Sequence, residues 1–136
     1  MKQMEIDRAI KKCIKKGNWI IRADNDGISA NKEANRFKWN PLGQWTKAPD
    51  WNTNAQCGGG LHGQDREHGG YILGRRLVFC DTYGPHIDLG DKVKVQKARI
   101  LKINSLPEGL QVGGPLDLRG TQITSLPEGL QDKIIY

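Results

Sequence analysis

The C-terminal part of the chain contains one nine-residue segment twice, and this repeat constrains the fold more than any other feature. INSLPEGLQ begins at Ile103 and ITSLPEGLQ begins at Ile123, so the two copies are 20 residues apart. Repeats with a period of about 20–50 residues are typical of stacked units, in which equivalent residues take equivalent positions. The spacing predicts that five apolar side chains point into a shared interior: Leu116, Leu118, Ile123, Leu126 and Leu130.

The segment between the copies, LDLRGTQI at residues 116–123, resembles the L-x-L-x-x-N-x-L core of a leucine-rich repeat, with Thr121 at the Asn position. The similarity is to bacterial repeats of the LPX kind and covers about residues 96–136. It implies a ladder of short parallel strands. We expect Thr121 to hydrogen-bond the backbone where the chain turns. Because a free solenoid needs about three repeats, we expect residues 96–103 to form the first rung.

The other end of the ladder, residues 132–136, leaves apolar side chains at the terminus. These residues either cap the ladder or are offered to a partner.

Residues 3–16 show the periodicity of an amphipathic helix. Ile6, Ile10 and Cys13 recur on one face, and Gly17 is placed to end the helix. The net charge of the chain is +6, and the first 16 residues hold six basic and two acidic side chains. This helix is interpreted either as a core-packed helix with a solvated basic face or as one that contacts phosphates.

The rest of the body reads as short strands and loops. Strands are predicted at residues 19–22 and 76–80, and the alternation at 92–100 predicts a strand with a Lys-rich outer face. The predicted fold class is α+β: an N-terminal amphipathic helix, a mixed β body and a short leucine-rich-repeat ladder that continues the body. The predicted division is residues 1–100 for the body and 101–136 for the ladder.

Residues 29–56 are irregular and rich in tryptophan. Trp39 and Trp45 alternate with Arg36, Lys38 and Lys47, a combination that suits stacking on unpaired bases. The alternative is that the rings pin an irregular loop to the core.

The stretch CGGGLHGQ at residues 57–64 places a thiol and an imidazole among four glycines. One hypothesis is a ligand-facing loop, in which Gly59 lets the backbone approach an anion and Arg22, Cys57 and His62 join the site. A second is a cysteine nucleophile with a histidine base. A third is a plain turn. A fourth is a zinc site with ligands of the usual type: Cys57, His62, His68, Cys80 and His86.

Two resemblances bear on this loop. An early strand Arg followed by a polar ligand loop resembles ADP-ribosyltransferase-like folds, which implies a nucleotide-using enzyme, although the catalytic Glu of that pattern has no match. The order of the CGGGLH loop, the strand at 76–79 and HIDLGDKVKV at 86–95 resembles uncharacterised small proteins of phages and prophages. That resemblance covers about residues 18–101 and implies a phage accessory protein with a counter-defence role.

The leading functional hypothesis is therefore a non-enzymatic interaction protein that binds, and inhibits, a bacterial host protein or nucleoprotein complex such as an immune system. The alternatives are a nucleotide-using enzyme and a nucleic-acid-binding protein. We expect a cytoplasmic chain with no membrane association and no cofactor, because three cysteines make a poor disulfide framework and no apolar run is long enough to span a bilayer. The predicted partner-binding residues are Lys11, Lys12, Lys15, Trp39, Trp45 and Arg119.

Overall fold

The computed structural model describes residues 1–29 and 37–135, with all of their side chains except those of Gln131 and Asp132. Within these residues one α-helix precedes a body of short strands, which confirms the α+β class. The elements in chain order are α1 (Gln3–Lys16), β1 (Trp19–Asp24), β2 (Trp45–Lys47), β3 (Leu61–Gly63), β4 (Gly70–Tyr71), β5 (Arg76–Tyr83), β6 (Ile87–Asp88), β7 (Val93–Val95), β8 (Lys97–Ile103), β9 (Leu116–Asp117), a 3-10 helix (Glu128–Lys133) and β10 (Ile134–Ile135).

Helix α1 has the bounds and the buried face that the sequence predicts. Ile6, Ile10 and Cys13 are buried, and the basic side chains of the last turn suit the helix dipole. Gly17 ends the helix in the left-handed conformation, at a φ of 74°, which glycine adopts without steric cost. Burial raises the pKa of the Cys13 thiol to about 12.

An antiparallel sheet of four strands, in the order β1-β5-β8-β2, forms the centre of the molecule. Alternate residues of β5 belong to two separate apolar clusters, because successive side chains of a strand point to opposite faces of the sheet. Leu77 and Phe79 pack in the cluster that holds the buried face of α1. Val78 and Cys80 pack in the other cluster. The sheet therefore has an apolar layer on both faces, and α1 covers one of them.

The prediction of one strand over residues 92–100 with a Lys-rich outer face is wrong. Two strands separated by Gln96 occupy this segment, and they belong to different sheets: β7 lies in the antiparallel sheet β3-β7-β6, and β8 lies in the central sheet. Lys94 in β7 is completely buried. Its ammonium group donates to three oxygens of residues 52–58, a segment that runs into the glycine-rich loop (residues 57–64), so burial does not leave it without hydrogen bonds.

The third sheet is parallel and has the order β4-β9-β10. Leu116 pairs with Gly70 on one side and with Ile134 on the other. The prediction that residues 96–103 form the first rung is therefore wrong, since β8 pairs with β5 and β2, both antiparallel. The neighbour of β9 is instead β4, which comes from the loop region of the body.

The two copies of the repeat lie side by side. Ser105 and Ser125 form a parallel bridge, and the amide of Thr124 donates to the carbonyl of Asn104 over 2.8 Å. Thr121 Oγ1 donates to the carbonyl of Leu118 over 2.8 Å, as the sequence predicted. Three of the predicted inward residues are fully buried and two are partly buried against the same core: Leu116, Leu118, Leu130, Ile123 and Leu126.

One apolar cluster joins the N-terminal helix to the C-terminal repeat, since it contains Ile10 as well as Leu118 and Ile134. Of the terminal segment 132–136, Ile134 adds to the parallel sheet and is buried, whereas Ile135 is exposed. No helix among the described residues is long and apolar enough to cross a membrane.

Candidate binding sites

A cleft of about 420 Å³ opens between β1, β3 and the glycine-rich loop. It brings together three of the four residues predicted for a ligand loop, Arg22, Cys57 and His62, and also Trp39 and Lys92. We call this site the Arg22 cleft. Gly59, the fourth predicted residue, is buried in the adjacent loop.

Arg22 lies against an aromatic ring in this cleft. Its guanidinium carbon is 4.4 Å from the centre of the Trp39 ring, and its Nη1 donates to the carbonyl of His62 over 3.3 Å. Trp39 is only 5% exposed, so it supports the guanidinium from below. The Arg22 Nε atom is buried and has no hydrogen-bond partner among the described residues. Burial lowers the pKa of Arg22, although the charge of Asp24 acts in the opposite direction.

His62 is held neutral beside this cation. Its Nε2 accepts a hydrogen bond from the backbone amide of Gly58 over 3.1 Å, which places the ring proton on Nδ1. Burial lowers the pKa of His62 to about 4, and the positive charges of Lys92, Arg22 and Lys94 add to this effect. At neutral pH His62 is therefore a hydrogen-bond donor through Nδ1 and carries no charge.

Lys94 fixes the glycine-rich loop from beneath. Its Nζ donates to Asn52 Oδ1 over 2.7 Å, to the carbonyl of Gly58 over 3.0 Å and to that of Gln56 over 3.2 Å. A Cβ atom on Gly59, whose φ is 66°, would collide with the side chain of Asn52. The glycine at position 59 is therefore required by packing around Lys94.

A second concave site lies between α1 and the central sheet and has a volume of about 450 Å³. Arg8, Lys12 and Lys16 line it from the helix at a spacing of four residues, which places them on one face. Trp45, Tyr83 and Arg99 line it from the strands, together with the acidic residues Glu5 and Asp81 and the apolar Met1. We call this site the basic groove.

The aromatic rings of the basic groove are exposed, and a cationic side chain lies over each of them. Trp45 is 40% exposed, and the Arg99 guanidinium carbon lies 4.7 Å from its ring centre. Tyr83 is 59% exposed, and Lys97 Nζ lies 5.1 Å from its ring centre. Arg99 also forms an ion pair with Asp81 over 2.7 Å.

The structure separates the six predicted partner-binding residues. Lys12 and Trp45 meet in the basic groove, whereas Trp39 lies under Arg22 in the cleft. Lys11 and Lys15 are exposed on α1 but do not line the groove. The remaining predictions fall elsewhere: Arg119 Nη2 pairs with Asp117 Oδ2 over 2.7 Å, and Arg36 lies outside the described residues.

The residues of the zinc hypothesis do not converge in the described part of the chain. Cys80 is buried in an apolar cluster and burial raises the pKa of its thiol, while Cys57 is exposed. His68 and His86 instead share one carboxylate, that of Asp65. Among the described residues no group of three or more His, Cys, Asp or Glu side chains has the arrangement of a metal site.

The sequence analysis missed the network around Asp65. Its two oxygens meet His68 Nδ1 at 2.6 Å and His86 Nδ1 at 2.8 Å, and His86 Nε2 lies 2.9 Å from the Thr82 hydroxyl. His68 Nε2 lies 3.0 Å from Asp88 Oδ1. Because both ring nitrogens of His68 face carboxylate oxygens, the contacts favour the protonated ring, which can donate to both carboxylates.

The ionisation of this network follows from these contacts. Burial lowers the pKa of His68, but the hydrogen bonds to Asp65 and Asp88 outweigh burial and raise it. Burial raises the pKa of Asp65, but the hydrogen bonds from His86, His68 and the Glu67 amide bring it down to about 2. The only signal in the sequence was the spacing of a single Asp before two histidines, which many unrelated chains share.

Comparison of the chain with family profiles, curated proteins and solved structures finds no match.

Proposed function

We propose that this chain is a non-enzymatic macromolecular-interaction protein whose basic groove receives an acidic face of a partner protein or nucleoprotein complex. The observation that carries the proposal is the composition of that groove. Three exposed apolar side chains, Met1, Trp45 and Tyr83, lie beside a wall of cations that α1 supplies. Exposed apolar groups rimmed by charge are typical of protein contact surfaces.

The mixture of residues favours a protein over a nucleic acid as the primary partner. Trp, Tyr and Arg are the residue types that dominate binding energy at protein interfaces. Glu5 and Asp81 also lie in the groove, and a protein face can place neutral or basic side chains opposite them, whereas a phosphate backbone is negative along its whole length. Charge complementarity with an acidic protein face would come from Arg8 and Lys12, which would also speed association.

Nucleic acid is the second candidate. The groove could bind single-stranded nucleic acid, because its helix cations are four residues apart and lie next to exposed aromatic rings. The lysines would contact the phosphates, and the bases would stack on Trp45 or Tyr83. This candidate predicts an affinity that falls steeply with salt, because binding releases counterions.

The finer form of the proposal is a cytoplasmic phage-type accessory protein that blocks a bacterial complex such as an immune system. Its support is the similarity of the CGGGLH loop and the strands that follow it to small phage proteins, together with the localised basic charge.

We also propose that the C-terminal segment is a short leucine-rich-repeat ladder. The parallel pairing of β4, β9 and β10, the bridge between Ser105 and Ser125 and the buried Leu116 and Leu118 support this assignment.

Affinity capture from bacterial lysate with matched variants tests the proposed function. The groove variant combines Lys12→Glu with Trp45→Ala, and the control variant is Lys15→Glu, which reverses a charge on α1 outside the groove. Each capture is run with and without nuclease, and the bound proteins are identified by mass spectrometry. We expect a stoichiometric partner that resists nuclease, is kept by the control and is lost by the groove variant.

The other outcomes contradict the proposal in distinct ways. Recovery of nucleic acid alone, with loss on nuclease treatment, would replace the primary candidate by the second. Equal loss in both variants would show that overall charge attracts the partner and that the groove has no role. Equal retention in both variants would place the interface elsewhere on the surface.

A further inference from the structure

The Arg22 cleft shares no lining residue with the basic groove, so the proposed function does not use it. We propose that the Arg22 cleft is a binding site for a small phosphate-bearing ligand. A volume of about 420 Å³ lies within the range of small-molecule sites, which is about 300–1,000 Å³.

The charge of Arg22 has no direct partner of opposite sign in the part of the chain that the structure describes. Arg22 forms no ion pair among the described residues. The carboxylate with the largest electrostatic effect on Arg22 is that of Asp24, which is completely buried. It forms an ion pair with Arg76 instead, whose Nε and Nη2 donate to it over 2.9 Å and 3.0 Å. A guanidinium without a carboxylate partner in a half-buried position favours a bound anion.

Among the residues that the structure describes, the cleft has a surplus of positive charge. Lys92 lines it beside Arg22, and the lining residues that the structure describes include one acidic side chain, Asp50. Lys94 adds a third cation directly beneath, with oxygens of Asn52 and the loop backbone as its partners. Buried charges are screened less than exposed ones, so this surplus acts at close range on a ligand.

The cleft also presents hydrogen-bond donors whose directions are fixed. The Arg22 guanidinium is held between the Trp39 ring and the carbonyl of His62 before a ligand arrives, and a planar guanidinium can donate two parallel hydrogen bonds to a phosphate. His62 offers Nδ1–H, because its Nε2 is engaged by Gly58. Nδ1 has no hydrogen-bond partner among the described residues. A cation with a fixed plane and a neutral donor together suit phosphate oxygens.

The cleft also has room for an organic group. Phe37 and Tyr71 line it, and Tyr71 is 57% exposed. Aromatic walls suit a planar ring such as a nucleobase, so the phosphate could come from a nucleotide or from an inorganic phosphate. Phosphate recognition is common to both sources, and the experiment separates them.

Isothermal titration of the full chain with three probes tests the proposal, at about 150 mM salt to screen weak surface attraction. The probes are ADP, inorganic pyrophosphate and adenosine. We expect ADP to bind and adenosine to give no heat. Binding of pyrophosphate as tight as that of ADP assigns the site to phosphate alone, and binding of ADP without pyrophosphate assigns it to a nucleotide.

Matched variants locate the binding. Lys92→Gln should weaken binding about tenfold or more, the usual effect of removing one charged hydrogen-bond partner. Arg22→Lys should weaken it as much, because an ammonium cannot replace the planar fork. The control Lys15→Gln removes the same charge from the exposed surface of α1 and should leave the affinity unchanged. Because Arg22 packs against Trp39 and the His62 carbonyl, Lys92→Gln decides the test if Arg22→Lys fails to fold.

A second readout comes from the His62 ring. A bound anion favours the protonated imidazole, so saturating ADP should move the NMR titration midpoint of His62 upward. The proposal is wrong if no probe binds up to about 1 mM, a limit that corresponds to about −4 kcal/mol. It is equally wrong if Lys15→Gln weakens binding as much as Lys92→Gln does, because the protein would then attract any polyanion.

Discussion

Replacement of Asp65 by Asn removes the charge at the centre of the network that joins β5 and β6 to the loop after β3. The Asp65 side chain is 10% exposed. It accepts hydrogen bonds from His68 Nδ1 over 2.6 Å, from His86 Nδ1 over 2.8 Å and from the amide of Glu67 over 3.0 Å. Asn keeps one acceptor oxygen but presents an amide donor to the second imidazole, which also donates. The hydrogen bonds from His68 and His86 therefore lose the charge of their acceptor, and the contact with His86 requires the other tautomer of that ring.

The magnitude follows from two considerations. The pKa of Asp65 falls from 3.8 to about 2, and each pKa unit corresponds to about 1.4 kcal/mol, so the ionised carboxylate contributes about 2 kcal/mol at neutral pH. Two hydrogen bonds to a charged group are worth up to about 3–5 kcal/mol together. We therefore expect Asp65→Asn to lower the free energy of unfolding by about 2–5 kcal/mol, a large part of the roughly 5–15 kcal/mol of a typical domain.

Urea unfolding followed by tryptophan fluorescence measures this loss. For a denaturant slope of about 2 kcal/mol per molar, the midpoint should fall by about 1–2.5 M. Asp26→Asn is the control, because Asp26 is 93% exposed and has a φ of 57° that Asn adopts readily. A change within about 0.5 kcal/mol for Asp65→Asn, the range of ordinary surface substitutions, would refute the reasoning and show that the histidines stabilise one another without the charge.

Three further predictions concern pH, the glycine-rich loop and the thiols. The pKa of His68 is raised in the folded protein, so this residue stabilises the fold fully below pH 6.5, and the stabilisation is lost as the pH rises through the pKa of the folded state. Thermal unfolding from pH 5 to 9 should show this loss of stability, and His68→Gln should reduce the dependence on pH. Gly59→Ala should lower the urea midpoint more than Gly84→Ala, since both positions have positive φ but a Cβ at position 84 meets nothing within 4 Å. A thiol reagent should modify Cys57 in the native protein at once and Cys80 only on unfolding, because Cys57 is exposed and Cys80 is buried.

The helix and the repeat show what sequence patterns can predict. The apolar spacing of Ile6, Ile10 and Cys13 and the position of Gly17 are local features, and the structure has the helix over Gln3–Lys16 as predicted. The burial of Leu116 and Leu118 was also predictable, because an apolar repeat with fixed spacing defines its own inward face. These inferences needed no knowledge of distant parts of the chain.

The lysine of β7 shows why the body was less predictable. Alternation along residues 92–100 is a correct sign of extended chain, but it does not state which face is covered. Lys94 is buried because the loop at 52–58 presents three oxygens to it, from residues about 40 positions earlier in the chain. A pattern within one strand cannot show which loop packs over it.

The residues of one candidate site could be picked out from the sequence, and those of the other could not. The sequence singled out Arg22, Cys57 and His62, and the structure brings them to one cleft. The basic groove depends on the packing of Lys12 on α1 beside Trp45 on β2, so no local window contains it.

The sequence by itself determined the elements whose information is periodic or local: the amphipathic helix, its glycine end and the repeated apolar rungs. The tertiary structure alone decided which strand neighbours β9, since the sequence favoured residues 96–103 and the strand that pairs with β9 is Gly70–Tyr71. It also decided that Asp65 meets His68 and His86. The physical reason is that hydrogen bonds between strands and between buried side chains join residues far apart in the chain, and their partners are fixed by how the whole apolar core closes.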